Sequence, residues 1–240
     1  MIRVGIVTGG TRGISEAISI MLKDNGYTVA AKYTGNDKAA AAFSKANGIN
    51  VYRFNVGDFD ACETSIAQIT ADLGPIEVLA NNAGITRDGN MHRMERNKWD
   101  AVINMNLGSC FNMSRLVIES MRSKGFGRIV NIGSINDQAG QYGQVNYATA
   151  KSGIHEFTKA LAQEAVAKGI TVNAIAPGYV ATEMVRAVPA EVLEKIVAKI
   201  PAGRLGDAND IACGVLFLVA DEAVFVTGST LSINGGQHMY

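Results

Sequence analysis

Ile2-Arg-Val-Gly-Ile-Val-Thr-Gly-Gly-Thr-Arg-Gly-Ile-Ser15 opens the chain, and its reading decides the fold. Residues 2–7 are a short, largely apolar run, which predicts a buried strand. Gly9 and Gly13 then bracket a tight turn, and a helical pattern continues to about Asp24. A strand that turns through glycines into a helix presents backbone N–H groups at a helix N-terminus, where a pyrophosphate can approach. Gly-x-x-x-Gly alone occurs in many loops, so its place between first strand and first helix carries the weight. A third glycine at position 15 would let helix and sheet pack closely. Ser15 stands there instead, so weakened cofactor affinity is expected, and a glycine there is expected to tighten it.

Outward from this turn, apolar runs predict strands over 27–33, 49–54, 76–80, 171–176 and 229–233, with another ending at Ser134. Between them, helical spacing covers 37–46, 58–73, 96–104, 107–123, 146–167, 180–200 and 209–219. Repeated βα units with short connections imply an α/β protein: a single-domain, doubly wound parallel sheet of Rossmann type over residues 1–240. A helical covering segment is expected at about 180–205, after strand six. Ligands of such sheets bind outside the carboxyl ends of the strands.

Composition narrows the function classes. With 22 basic and 22 acidic residues, the chain has no charge excess to attract nucleic acid or an anionic membrane. A 48% hydrophobic content supplies a sizeable core, and no apolar run approaches membrane-spanning length. Cys62, Cys110 and Cys213 lack disulfide or metal spacing, and His92, His155 and His238 are scattered, so no metal centre is expected. The apolar start breaks at Thr8-Gly9, too early for a signal-peptide core. A soluble, cytoplasmic protein is expected. Trp99 and the methionines read as packing, with Met184 a candidate substrate contact.

The chemistry concentrates in Tyr147-Ala-Thr-Ala-Lys151, with Ser134 thirteen residues upstream at the end of a strand. On a helix capped near Asn146, Tyr147 and Lys151 are i and i+4 and share a face. An ammonium fixed beside a phenol favours its ionised form, and the Ser134 hydroxyl can share a substrate oxygen with it. A lone Tyr-x-x-x-Lys is most often a solvated surface pair. The glycine loop in the same chain changes the balance, because a dinucleotide carries hydride where the tyrosine moves a proton. Strand two ends Ala31-Lys-Tyr-Thr-Gly-Asn36 with no carboxylate before Asp37. An acid near that point usually bonds the ribose 2′-OH of NAD. Its absence, with Arg12 able to meet a 2′-phosphate, favours NADP; Arg12 and Lys32 as ordinary solvated charges is the plainer alternative.

Thr8-Gly9-x-x-x-Gly13, Asn81-Asn-Ala-Gly84, Ser134, Tyr147-x-x-x-Lys151 and Pro177-Gly178 resemble, in order and spacing, the motifs of the short-chain dehydrogenases/reductases. The resemblance covers essentially the whole chain. Gly84-Ile-Thr-Arg-Asp88, Gly140-Gln-Tyr-Gly-Gln-Val-Asn-Tyr147, Ala176-Pro-Gly-Tyr179 and Ile233-Asn-Gly-Gly236 are similar, within that family, to its NADPH-dependent acetoacetyl-CoA reductases. The related β-ketoacyl-ACP reductases share much of this, and a catalytically weak nucleotide sensor or scaffold of the same fold is a further alternative.

The resemblance implies Ser134, Tyr147 and Lys151 as catalytic residues, with Asn106 holding a water in a proton relay. It implies cofactor contacts from Gly9, Thr11, Arg12, Gly13, Ile14 and Tyr33, and from Asn55 and Val56 beside the adenine. Asn82, Ala83, Gly84, Tyr147 and Lys151 follow, then Pro177, Gly178, Val180 and Thr182 near the nicotinamide. Gln141, Tyr142, Gln144 and Tyr179 would line an acyl-CoA thioester pocket, with Asp88 and Arg93 at its entrance. A homotetramer through the long helices is implied. Ser15, Ala80 and Asp137 depart from the family's usual residues, and Asp137 is expected to disturb the Ser134 loop.

Overall fold

The structure, a computed structural model, describes residues 2–239. Within them the side chains of Asp137, Gln138 and Met184 lie outside the described ones, so the expectations placed on Asp137 and Met184 do too. In chain order the elements are β1 (Val4–Thr8), α1 (Gly13–Asp24), β2 (Thr28–Tyr33), α2 (Asp37–Asn47) and β3 (Asn50–Arg53). Then come α3 (Phe59–Leu73), β4 (Ile76–Asn81), α4 (Arg96–Ile103), α5 (Ser109–Lys124) and β5 (Gly127–Ile132). The last half adds α6 (Asn136–Ala139), α7 (Val145–Ala165), β6 (Ile170–Pro177), α8 (Glu183–Arg186), α9 (Ala190–Val197), α10 (Ala208–Val219) and β7 (Thr230–Ile233).

The strands form one parallel sheet in the order β3-β2-β1-β4-β5-β6-β7. Period-two alternation sends successive side chains to opposite faces. Ile6, Leu79, Ile129 and Val172 pack one face against α3, α5 and α7. Val7, Val78, Val130 and Ile175 pack the other against α1, α2 and α10. The order of strand addition switches sides between β1 and β4, where a doubly wound sheet opens a crevice at its carboxyl edge.

Local chemistry sets the boundaries. Asn36 caps α2 by accepting from Ala39 N at 3.0 Å, and Asp58 caps α3 by accepting from Ala61 N at 3.1 Å. The expected helix over 180–200 is instead two short ones, because Pro189 stands at the start of α9 and lacks the N–H a continuous helix needs. The helices expected at 96–104 and 107–123 run together through a π-helical turn at Asn104–Gly108. Strand five stops at Ile132, yet Gly133 and Ile135 still donate to Ile175 and Pro177 carbonyls at 2.7 and 2.9 Å.

A charged knot closes the opposite, amino edge of the sheet. Arg128 is 2% exposed, and its guanidinium donates to the carbonyls of Gly127 at 2.8 Å and Gly169 at 3.2 Å. Both Arg128 and Arg3 lie over the Phe126 ring, 4.2 and 3.7 Å from its centroid, and Arg3 pairs with Asp221.

Lys32 is not the solvated charge that its composition suggests. It is 2% exposed, with Nζ donating to Thr34 Oγ1 at 2.6 Å, and burial pushes its ammonium down to about 8, only partly opposed by Cys62. Between about pH 8 and the ordinary lysine value the unfolded chain binds the extra proton, so native stability rises with pH there. Below that window the penalty is fully present. Lys32→Met is therefore expected to be more stable than the parent at pH 7, by up to about 3 kcal/mol. The gap should shrink by pH 9.5 in chemical denaturation; an equal gap at both pH values would clear Lys32 of this role.

Candidate active site

The glycine loop meets the end of β4 at the crevice floor. Gly9 (φ +78°) and Gly13 (φ +55°) adopt left-handed backbone that side chains disfavour. The Thr8 hydroxyl oxygen accepts from Asn82 N at 2.9 Å and Ala83 N at 3.0 Å, joining the ends of β1 and β4. Ser15 is accommodated there: its Oγ donates to the Thr8 carbonyl at 3.1 Å and accepts from the Asn82 side-chain amide. The steric reason for weakened affinity is absent. Helix α1 starts at Gly13 with no side-chain cap, leaving first-turn N–H groups free for an anion.

Two ties set α7 against the sheet. Lys151, 4% exposed, donates from Nζ to the Ile132 carbonyl at 2.6 Å, and its Nζ lies 5.7 Å from the Tyr147 ring centroid. Farther along, the Asn81 amide donates to Asn131 Oδ1 at 2.9 Å, and the Asn131 amide to Thr158 Oγ1 at 2.9 Å. Asn146 lies inside the first turn of α7, past the N-cap position at Gln144; its Oδ1 accepts from Tyr147 N at 2.8 Å and its amide donates to the Arg87 carbonyl at 3.0 Å. Ser134 Oγ accepts from Asn136 N at 3.1 Å.

Asn106, 1% exposed, sits in the π-helical turn and donates to the carbonyls of Ile85 and Val102, both at 2.9 Å. Its Oδ1 is buried without a partner among the described residues. The Cys110 thiol donates to the Asn106 carbonyl at 3.3 Å and is pushed up to about 11 by burial, against the pull of Lys151, which leaves it protonated.

These elements enclose a cleft of about 540 Å³. The four expected catalytic residues, Asn106, Ser134, Tyr147 and Lys151, all line it. So do Arg12, Gly13, Ile14, Asn82, Gly84, Pro177, Gly178 and Thr182, with Thr182 close against Gly13. Uncapped helix N–H groups, left-handed glycines and an arginine suit the phosphates and ribose of a nicotinamide dinucleotide. Gly9, Thr11 and Ala83 lie outside the lining but in the loops behind it. Tyr33 is the last residue of β2 and Asn55 lies two residues past β3, while Val56 and Val180 are core residues at 0% and 4% exposure.

None of the six expected substrate residues lines the cleft. Asp88, Arg93, Gln141 and Tyr142 are exposed. Gln144 is tied on both sides, donating to Asp88 at 2.9 Å and accepting from the Asn136 amide at 3.0 Å. Tyr179 lines a neighbouring hollow with Arg204 and Asp210. Sequence reasoning missed Ile85, Thr86, Ile132, Gly133 and Glu183 in the lining. The position of Thr86 just past Asn81–Gly84, and of Gly133 just before Ser134, was the available signal. Burial, then the nearby Glu183 carboxylate, raises the Glu16 carboxyl above its usual range at the rim.

The family described as enoyl-(acyl carrier protein) reductase matches residues 9–238. The chain is 60% identical to the acetoacetyl-CoA reductase of Shinella zoogloeoides over 238 residues, 99% of each chain. It is 57% identical to that of Rhizobium meliloti over 239 residues, again 99% of each. A 3-oxoacyl-[acyl-carrier-protein] reductase of Haemophilus influenzae is 43% identical, over 99% of this chain and 98% of the relative.

Gly84 closes the space above Asn106. A Cβ there would stand 2.3 Å from Asn106 Oδ1 and 3.3 Å from its Cγ. Gly84→Ala is expected to cost about 1–3 kcal/mol, the scale of overpacking. Thermal melts check it; a parent-like midpoint would mean that Asn106 can turn away freely.

Proposed function

The chain belongs to the short-chain dehydrogenase/reductase family, and from that premise we propose that it reduces acetoacetyl-CoA to (R)-3-hydroxybutyryl-CoA with NADPH. The observation that carries this reading is the convergence of Ser134, Tyr147 and Lys151 on one cleft beside the glycine loop. Full-length likeness to two acetoacetyl-CoA reductases supports the substrate.

NADPH, when bound, supplies a hydride to the ketone carbon. Tyr147 gives its phenolic proton to the oxygen of that ketone as charge builds there, and Ser134 donates a hydrogen bond to the same oxygen. Lys151 stands beside the phenol and would hold the ribose. Asn106, by family resemblance, keeps a water that returns a proton through Lys151. Gly13 and Ile14 would receive phosphate at the start of α1. Preference for NADPH is supported by Arg12 at the cleft and by Asp37, whose carboxylate is occupied by Arg53 at 3.0 Å. No other carboxylate stands between Lys32 and Asp37 to hold a free 2′-hydroxyl.

Carrier choice rests on charge at the mouth. Arg87 and Arg93 alternate with Asp88 and Glu95, which suits a small nucleotide handle better than an acidic carrier protein. Gln141 and Tyr142 at that mouth offer neutral and aromatic contacts to the thioester arm. Assembly as a homotetramer through α5 and α7 is supported by Phe111, 53% exposed, beside Ile118, Phe157 and Leu161 in one hollow.

Tyr147→Phe keeps the ring and removes the proton, so turnover should fall about 10²-fold or more while NADPH still binds. Near-parental turnover would remove Tyr147 from the mechanism. In steady-state assays kcat/KM should favour acetoacetyl-CoA over acetoacetyl-ACP, and NADPH over NADH. A clear preference for the ACP thioester would reassign the substrate and leave the reductase chemistry standing.

A further inference from the structure

Ser15 is 1% exposed and has one hydroxyl proton to give. That proton goes to the Thr8 carbonyl at 3.1 Å, an oxygen that can only accept. Whatever else meets Ser15 Oγ must therefore donate to it, and the group that does is the NH₂ of Asn82. This fixes the orientation of an amide that would otherwise turn freely. Asn82 lines the cleft, and its NH₂ is engaged by Ser15. The main chain of Asn82 is held as well, its N–H donating to Thr8 Oγ1 at 2.9 Å.

We infer that Ser15 is a positioning residue for dinucleotide binding, holding the Asn82 side chain with its carbonyl oxygen toward the cleft as an acceptor for a ribose hydroxyl. The inference rests on the dinucleotide reading of the cleft. The chemistry selects among the groups of such a ligand. Phosphate oxygens only accept and would prefer the NH₂ turned outward, whereas ribose hydroxyls can donate to a carbonyl. Ser15 thus does what a glycine at this position cannot, because glycine leaves the Asn82 amide without an anchor. The consequence is opposite in sign to the packing argument from sequence: glycine at position 15 should loosen the cofactor.

The test reads binding alone, by fluorescence titration of NADPH against the parent, Ser15→Ala, Ser15→Gly, Asn82→Ala and Ser15→Ala/Asn82→Ala. Ser15→Ala should raise the Kd by about threefold to tenfold, the scale of one hydrogen bond. Asn82→Ala should raise it at least as much, and the double variant no further than Asn82→Ala, since both changes remove one device. Ser15→Gly should weaken binding too, and it carries the test should Ser15→Ala fail to fold. Parent-like affinity in either Ser15 variant, or penalties that multiply in the double variant, would overturn the inference while the cofactor reading stands. A parent that does not bind NADPH would overturn both.

Discussion

Taking an ammonium out of water is costly unless an acceptor replaces the solvent. Lys151 meets that requirement at one atom, the carbonyl of Ile132, the last residue of β5. The contact does more than satisfy a charge. It fixes the first turns of α7 against the carboxyl end of β5, and Tyr147, one turn earlier on the same helix face, is fixed with it. Ser134 follows two residues beyond Ile132, flanked by backbone bonds from Gly133 and Ile135 to β6. Three reacting side chains from two elements thus depend on one buried interaction. The Asn81–Asn131–Thr158 chain keeps the helix from pivoting about it.

The layered fold was legible because each level of the sequence agrees with the next. Apolar runs at strand length, helical spacing between them and glycines at the first turn all specify the same doubly wound sheet. The i, i+4 placement of Tyr147 and Lys151 followed from helix geometry alone. The π-helical turn at Asn104–Gly108 was not legible, since one extra residue per turn barely disturbs an apolar period. The break at Pro189 was readable from the proline, and the expected continuous helix overlooked it.

Side-chain partnerships across long separations account for the remaining differences. Asp88 and Gln144 lie 56 positions apart, and nothing in their spacing indicates that each occupies the other. Together with Asn136 they fasten the loop after Ser134 to the loop after β4, and the bond from Gly89 N to the Gly143 carbonyl adds a backbone tie. For Lys32 the plainer alternative of a solvated charge fails, because Phe54 and Cys62 lie against it, a neighbourhood that its spacing in sequence does not indicate. The size of Ser15 is readable from sequence, while the two hydrogen bonds of its hydroxyl, to Thr8 and Asn82, appear only in the fold.

The two edges of the sheet are built from different materials. The amino edge is closed by Arg3, Phe126, Arg128 and Asp221, where stacked guanidinium groups and carbonyl bonds join β5 to the segments around Gly169 and to the chain beyond α10. The carboxyl edge is made of glycine turns, short helices and loops joined by side-chain and backbone hydrogen bonds. Cooperative opening follows the least-buried, least-bonded parts of a structure. The molecule therefore has a natural direction of breathing. Its ligand-facing edge can loosen and re-form repeatedly while the opposite edge keeps the strands in register, so exchange of bound molecules need not risk unfolding.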